Sequence, residues 1–131
     1  MRYEQRMYFL VMYNLSPIQQ GIQAGHAALE YGLFYPQTTQ NFTRHDKTWI
    51  ILNGGTSNQN PETPGTMEQH QQHLRDIGVK HAVFHEPNLN GALSAIAFLV
   101  DERVYDYDKY PDFNKPHFIM DINGFTCLPG N

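Results

Sequence analysis

The chain has 131 residues, a formal net charge of −4 at pH 7, 40% hydrophobic residues and 13% aromatic residues. This length fits one domain with its own core, so we expect a single domain over residues 1–131. The nine Lys and Arg residues are scattered without a run. Such a composition is unfavourable for a protein whose main task is to bind the phosphate backbone of nucleic acids.

The cysteine content and the length of the apolar runs indicate the cellular compartment of the protein. Its one cysteine, Cys127, excludes an internal disulfide, which is typical of a protein in a reducing compartment. The strongest apolar run, residues 7–13, is too short to span a membrane and lacks the cleavage pattern of a signal peptide. We therefore expect a cytoplasmic protein with no membrane contact.

The first third of the chain predicts a strand, a tight turn and a capped helix. Residues 6–14 form a β-branched and aromatic run, which is typical of a strand buried on both faces. The helix covers 16–34, with Ser16 as its cap and Pro17 at its first position. One stripe is apolar and is expected to face the core: Ile18, Ile22, Gly25 and Leu29. The neighbouring stripe is polar: Gln19, Gln23, His26 and Glu30.

Loops and shorter elements follow. Residues 32–46 are polar and irregular and predict a loop, and 56–65 predict a second one, both rich in turn-forming residues. Between them, 48–53 predict a strand that Gly54 and Gly55 end. A second helix is predicted over 66–77, where Thr66 and Gln69 have the spacing of a capping box and Gly78 closes the helix. Further strands are predicted at two places: 80–85 and 93–100.

This order of elements predicts the fold class. Strand, helix, strand, helix, strand, strand indicates a three-layer α/β sandwich around a small four-stranded, mostly parallel mixed sheet, with its last strand antiparallel. The core covers about 5–101, and a tyrosine-rich extension covers 102–131, in which 118–122 predict a short added strand.

Five positions are candidates for chemistry. Glu86 ends a strand, where α/β folds place reactive groups, although a surface turn residue ahead of Pro87 is an equal alternative. Ser94 opens the next strand and is expected near it. His26 is either a catalytic imidazole or a histidine held at the boundary of helix and sheet, and we favour the second. His70 and His73 have metal-ligand spacing without a completing ligand, so we expect no metal and no cofactor.

The first helix also carries a family resemblance. Its sequence Gln23-Ala24-Gly25-His26-Ala27-Ala28 resembles the Gln-x-x-His-Ala-Ala signature of the type II peptidyl-tRNA hydrolase family. The predicted elements over residues 5–101 follow in the same order as in that family. The resemblance implies a small α/β sandwich with a four-stranded mixed sheet, often dimeric, that cleaves the ester between a peptide and its tRNA without a metal.

The resemblance also implies a site. In the family, a Lys and a Gln on the first helix act with an Asp and Thr residues after the third strand. Gln23 matches the helix Gln, Glu86 stands at the acidic position, and Ser94 is the nearest hydroxyl. The family Lys falls at Gln19, an uncharged amide. The resemblance places supporting or binding residues at three positions: His26, Asn88 and Asn90.

Two functions from different classes follow. The first is hydrolysis of the peptide–tRNA ester, or of a related small ester or amide, with Glu86 as base or water-positioning group, Gln19 and Gln23 as orienting donors, and tRNA and a second copy as partners. The second is an inactive binding or assembly module on the same fold, with partner contacts supplied by the tyrosines after Asp101. A metal-dependent enzyme that uses the histidines is a weaker third.

Overall fold

The structure is a computed structural model that describes residues 2–113. Its elements in chain order are β1 (Gln5–Met12), α1 (Pro17–Phe34), α2 (Pro36–His45), β2 (Trp49–Gly55), α3 (Thr66–Asp76), β3 (Ala82–Glu86), a 3₁₀ turn (Pro87–Leu89), β4 (Ala92–Asp101) and α4 (Glu102–Tyr105). The chain is a mixed α/β protein, as expected.

The four strands form one open mixed sheet in the order β2-β1-β4-β3. The β1–β2 ladder is parallel, whereas β4 runs antiparallel to both β1 and β3. Three strands therefore point the same way and β4 opposes them, as expected for the last strand. Because β4 lies between β1 and β3, two of the three pairs of neighbouring strands are antiparallel. The prediction of a mostly parallel sheet is therefore wrong for the strand pairing. The short connection after β3 favours this antiparallel neighbour.

Strand β1 lies in the interior of the sheet and is buried on both faces, which confirms the prediction. Phe9 and Val11 face a core built with α1 and α2, while Tyr8 and Leu10 face a second core built with α3 and α4. Helices therefore pack on both faces of the sheet. Since side chains alternate between the faces of a strand, this one apolar run contributes to both cores.

Helix α1 begins as predicted but turns a different face to the sheet. The Ser16 hydroxyl accepts a hydrogen bond from the Gln19 backbone N–H at 3.3 Å, which confirms the cap. The predicted apolar face is wrong, because Ile18 and Leu29 are 76% and 75% exposed. The buried side chains are instead Gln20, Gln23, Ala24, Ala27 and Tyr31. Small alanines let the helix lie close to the sheet, and the amides are buried because they are hydrogen-bonded.

The predicted loop over 32–46 is largely helical, which corrects the sequence analysis. Helix α2 starts at Pro36, where the missing N–H costs nothing. Phe42 is its buried anchor against α1 and the sheet, and Thr39 donates to the Tyr35 carbonyl at 2.8 Å. The Gln, Thr and Asn residues here are weak helix formers, and tertiary packing of Phe42 outweighs that propensity.

Helix α3 lacks the predicted capping box. Its cap is Gly65, and the Thr66 hydroxyl donates instead to the Gly54 carbonyl at 2.9 Å. Strand β2 accordingly continues to Gly55 rather than ending at Asn53. Gly78 has φ of 74°, a conformation that favours glycine, and confirms the predicted end of the helix.

The described part of the extension folds back on the start of the chain. Glu102 accepts from the Glu4 backbone N–H at 2.8 Å, and the Tyr105 hydroxyl donates to the Glu4 carboxylate at 2.6 Å. Tyr110 packs edge-on against Tyr3 with ring centroids 5.8 Å apart. The predicted strand at 118–122 and the residue Cys127 lie outside the described residues. Within 2–113, no helix has the length and apolar character needed to cross a membrane.

Candidate active site

A cavity of about 480 Å³ lies between the first half of α1 and the connection from β3 to β4. Its lining residues are Leu15, Gln19, Ile22, His26, Glu86, Asn88 and Leu89. Four of the predicted site residues are therefore cavity walls: Gln19, His26, Glu86 and Asn88. The parts of the chain that meet here are far apart in sequence, so the cavity is a product of the tertiary fold.

Gln23 lies at the base of this arrangement and is completely buried. Its Nε2 donates to Glu86 Oε1 at 2.9 Å and lies 3.4 Å from Gln19 Oε1, the second acceptor. Its Oε1 accepts from the Ser94 hydroxyl at 2.5 Å. All four predicted catalytic positions thus belong to one hydrogen-bonded chain, which runs from Ser94 through Gln23 to Glu86 and Gln19.

A β-bulge aims Ser94 at α1. Phe84 pairs with Ala95 and His85 pairs with Leu93, so Ser94 is the extra residue of the bulge on β4. Leu93 belongs to the core on one face of the sheet and Ala95 to the core on the other. The register shift lets the buried Ser94 hydroxyl reach Gln23, as bulges commonly do beside functional sites.

The Glu86 carboxylate is held from two sides. Its position at the end of β3 puts it on the α1 face, because Ala82 and Phe84 at alternate positions pack in the core below α1. Oε1 accepts from Gln23, and Oε2 accepts from the Asn88 backbone N–H at 3.4 Å as the cap of the 3₁₀ turn. The side chain is half-buried and borders the cavity, so one carboxylate is fixed where solvent still reaches it.

The supporting positions divide into two groups. The His26 ring stacks on Phe84 with centroids 4.5 Å apart, which places it on the cavity wall at the boundary of helix and sheet. Asn88 also borders the cavity. Asn90 does not: it adopts a left-handed conformation with φ of 55° and lines a separate depression with Ser57 and Gln59. The structure therefore does not bring Asn90 to the other predicted residues.

Sequence reasoning missed the apolar wall of the cavity. Leu15, Ile22 and Leu89 contribute this wall. The sequence pattern places Ile22 in the stripe expected to face the core, and Leu15 and Leu89 fall in turns between predicted elements, so none of the three is predicted at a site. The available signal was the pattern of α1, where apolar residues stand beside a polar stripe. The sequence pattern predicts these apolar residues to face the core, because hydropathy alone does not show which side chains are exposed.

The histidines of α3 lie away from this cavity, on the helix that packs against the other face of the sheet. Burial, and secondarily the nearby His73, lowers the pKa of His70. Across residues 2–113, no three His, Cys, Asp or Glu side chains are grouped so as to hold a metal ion.

The geometry supports proton transfer and hydrogen bonding. A fixed carboxylate beside a water-accessible cavity can accept a proton from an attacking water. Gln19 is exposed, and because its Oε1 faces Gln23, its Nε2 is left as a donor beside the cavity. Such a donor can stabilise negative charge that develops on a carbonyl oxygen. Comparison of the sequence with models of known protein families and with curated proteins found no match.

Proposed function

We propose that this chain is a peptidyl-tRNA hydrolase-like enzyme that hydrolyses the ester between peptide and tRNA, or a related small ester or amide. The observation that carries the proposal is the hydrogen-bonded convergence of Gln19, Gln23, Glu86 and Ser94 at one cavity. These are the positions that the family resemblance selects. The mixed four-stranded sheet, with helices on both faces, also agrees with the sandwich that the resemblance implies.

Each residue has a role that follows from its contacts. Glu86 deprotonates or positions the attacking water, while Gln19 donates to the developing oxyanion. Gln23 orients the carboxylate by donating from its Nε2 to Glu86 Oε1. The Ser94 hydroxyl donates to Gln23 Oε1 and so selects the amide orientation that presents Nε2 to Glu86. In the reaction, the hydroxide formed from water adds to the acyl carbon and the bond between the acyl carbon and the ester oxygen breaks. The proton taken from water is returned to that leaving oxygen, which becomes a hydroxyl group.

Gln19 sets the expected rate. An amide in place of the family ammonium still donates a hydrogen bond but contributes no charge. Loss of one such stabilising group typically lowers the rate by about 10²–10³-fold. We therefore expect a slow hydrolase that acts in the cytoplasm, where its substrate is formed.

Release of N-acetyl-leucine from N-acetyl-leucyl-tRNA tests the proposal. The wild type should release it faster than buffer alone, and Glu86→Ala should reduce the enzymatic release by about 10²-fold or more. Glu62→Ala is the matched control, because Glu62 is an exposed loop carboxylate that is not among the residues lining the cavity. No release by the wild type at high enzyme concentration would refute the hydrolase proposal.

Contact with tRNA has its own test. The net charge of −4 makes the affinity dependent on local contacts, and any phosphate contacts release counterions. A mobility shift of uncharged tRNA at low salt that weakens steeply as salt rises would support tRNA as partner. Absence of a shift at low salt would exclude it.

One observation favours the second function, an assembly module that pairs with another copy of the chain. Ile18, Leu29 and Leu33 lie at helical spacing on α1 and are 76%, 75% and 73% exposed. Contiguous exposed apolar patches commonly mark interaction sites. Glu30 is the one charged residue in α1, so the stripe offers little to a charged partner and matches an equally apolar surface such as itself.

Sedimentation velocity, combined with the ester assay, tests the assembly module. A dimer that Leu29→Glu converts to monomer, in a protein without ester turnover, would favour the assembly module. A protein that sediments as a monomer at all concentrations would exclude the assembly module. Tyr105 and Tyr110 of the extension already pack on the start of the chain, so we propose the contact on α1 rather than on these two tyrosines.

A further inference from the structure

The cavity has two chemically different walls. Taking the proposed hydrolase function as premise, we infer that the cavity receives the acyl end of the substrate and selects an uncharged, apolar amino-acid side chain. The nucleotide end then lies outside the cavity. This assignment names the part of the substrate that is recognised, which the catalytic chain of hydrogen bonds alone does not.

The apolar wall provides the attraction. Ile22 and Leu89 are large apolar side chains that remain 42% and 39% exposed and border the cavity together with the half-buried Leu15. They belong to α1, the 3₁₀ turn and the loop before α1, so they surround the opening from different elements. Covering such surface with an aliphatic group is favourable, because it removes apolar area from water on both sides.

The polar wall provides the exclusion. Among the described residues that line the cavity, Glu86 supplies a carboxylate and none is Lys or Arg. An anion placed here would be desolvated next to the Glu86 carboxylate, with no Lys or Arg among the described lining residues to pair with it. A phosphate group or an acidic side chain is therefore disfavoured, whereas a carbonyl or amide can bond to Gln19 or Asn88.

The size of the cavity agrees with one residue of substrate. Small-molecule sites commonly have volumes of about 300–1,000 Å³, and this cavity has about 480 Å³. That space is large enough for an acylated amino acid, and it is the lack of Lys and Arg among the described lining residues, rather than the volume, that disfavours the nucleotide. The scissile ester would then lie at the mouth, beside Glu86 and the Gln19 amide.

Titration of the ¹⁵N-labelled full chain, followed by NMR, tests this inference without requiring hydrolysis. The probes are the amides of N-acetyl-leucine, N-acetyl-glycine and N-acetyl-aspartate, together with AMP. We expect the leucine compound to shift the amide signals of Ile22 and Leu89 and to bind about tenfold more tightly than the glycine compound. The aspartate compound and AMP should not shift these signals.

Two serine variants sharpen the test. Ile22→Ser should remove the preference for leucine over glycine, whereas Ile18→Ser should keep it, since Ile18 is equally apolar and lies on the same helix but outside the cavity lining. Equal binding of the leucine and glycine compounds, unchanged preference in Ile22→Ser, or AMP bound in the cavity would overturn the inference.

The binding result is separable from the hydrolase result. Selective binding of the leucine compound without release of N-acetyl-leucine from tRNA would support the cavity assignment and refute the hydrolase function. Release from tRNA with equal binding of leucine and glycine compounds would support the hydrolase function and refute the side-chain selection.

Discussion

At the scale of single residues, Gln23 is the position on which the site depends. A completely buried amide is stable only when its donors and acceptors are satisfied, and here Glu86, Gln19 and Ser94 satisfy them. The family signature in the sequence predicts Gln23 as a site residue. Its burial could not be predicted from hydropathy, because its partners come from β3 and β4 and meet it only in the folded chain.

Replacing Ser94 tests the buried end of the hydrogen-bonded chain. Ser94→Ala leaves Gln23 Oε1 buried without its donor, so we expect the free energy of unfolding to fall by about 1–3 kcal/mol. Ester release should fall as well, because the amide of Gln23 loses the bond that fixes its orientation. Urea unfolding measures the first effect, and an unchanged unfolding free energy would show that the Ser94 bond contributes nothing.

Position 19 tests the missing charge. Gln19→Lys restores the ammonium that the family resemblance implies, so we expect ester release to accelerate by about 10²-fold. Gln40→Lys is the matched control, because it adds the same charge at an exposed position on α2. A rate unchanged by Gln19→Lys, or raised equally by both variants, would argue against an oxyanion role for this position.

At the scale of elements, several local signals located helix ends, although the capping box predicted for α3 is absent, and the predicted buried face of α1 is wrong. Ser16 and Pro17 located the start of α1, and Gly78 located the end of α3, because caps and left-handed positions depend on neighbouring backbone. The buried face of α1 was missed because Ala24 and Ala27, rather than the larger Ile and Leu side chains, pack on the sheet.

Helix α2 gives a direct test of packing against propensity. Phe42 is 3% exposed and is the one buried side chain in a helix of weak helix formers. Phe42→Ala should lower the free energy of unfolding by about 3–5 kcal/mol. The neighbouring exposed position provides the control, and Asn41→Ala should change it by less than about 0.5 kcal/mol. Similar losses for both variants in chemical unfolding would contradict an anchor at Phe42.

At the scale of the whole molecule, two carboxylates fasten the start of the chain. Asp46 accepts from Arg2 at 2.6 Å and from the Gln5 backbone N–H at 3.0 Å. The Arg2 hydrogen bond is the main reason why the pKa of Asp46 is lowered. The pKa of Glu102 is lowered mainly by the hydrogen bond from the Glu4 backbone N–H, and secondly by the hydrogen bond from Lys109. Both ends of the described chain are thereby tied to the central strands.

These ties predict a pH dependence. A carboxyl with a lower pKa in the folded state stabilises the fold above its unfolded pKa of about 3.9, and this contribution is lost as pH falls through the folded pKa. The unfolding free energy of the wild type relative to Asp46→Asn should therefore be constant from pH 7 to about pH 5 and decrease below about pH 4. Asp108→Asn, at an exposed site, is the control variant for removal of a carboxylate. The same difference for Asp46→Asn at pH 7 and pH 3 would contradict the tie.

The topology shows what the sequence could not supply. The order of elements predicted a mixed α/β fold, but not the position of β4 between β1 and β3, since the pairing partners of an apolar strand are set by long-range packing. The same placement carries Ser94 under α1. The residues of the site were named from the sequence, whereas their connection through Gln23 required the fold.

The central claim is that Gln23 and Glu86 act as one unit in ester hydrolysis, and a double-mutant cycle tests it most directly. Rates of N-acetyl-leucine release from tRNA are measured for the wild type, Gln23→Leu, Glu86→Ala and the double variant, each checked for folding by circular dichroism. Each single variant should lose about 10²-fold or more, and the double variant should lose no more than the worse single variant. A Gln23→Leu variant as active as the wild type, or a double variant that loses the full product of both effects, would contradict the claim.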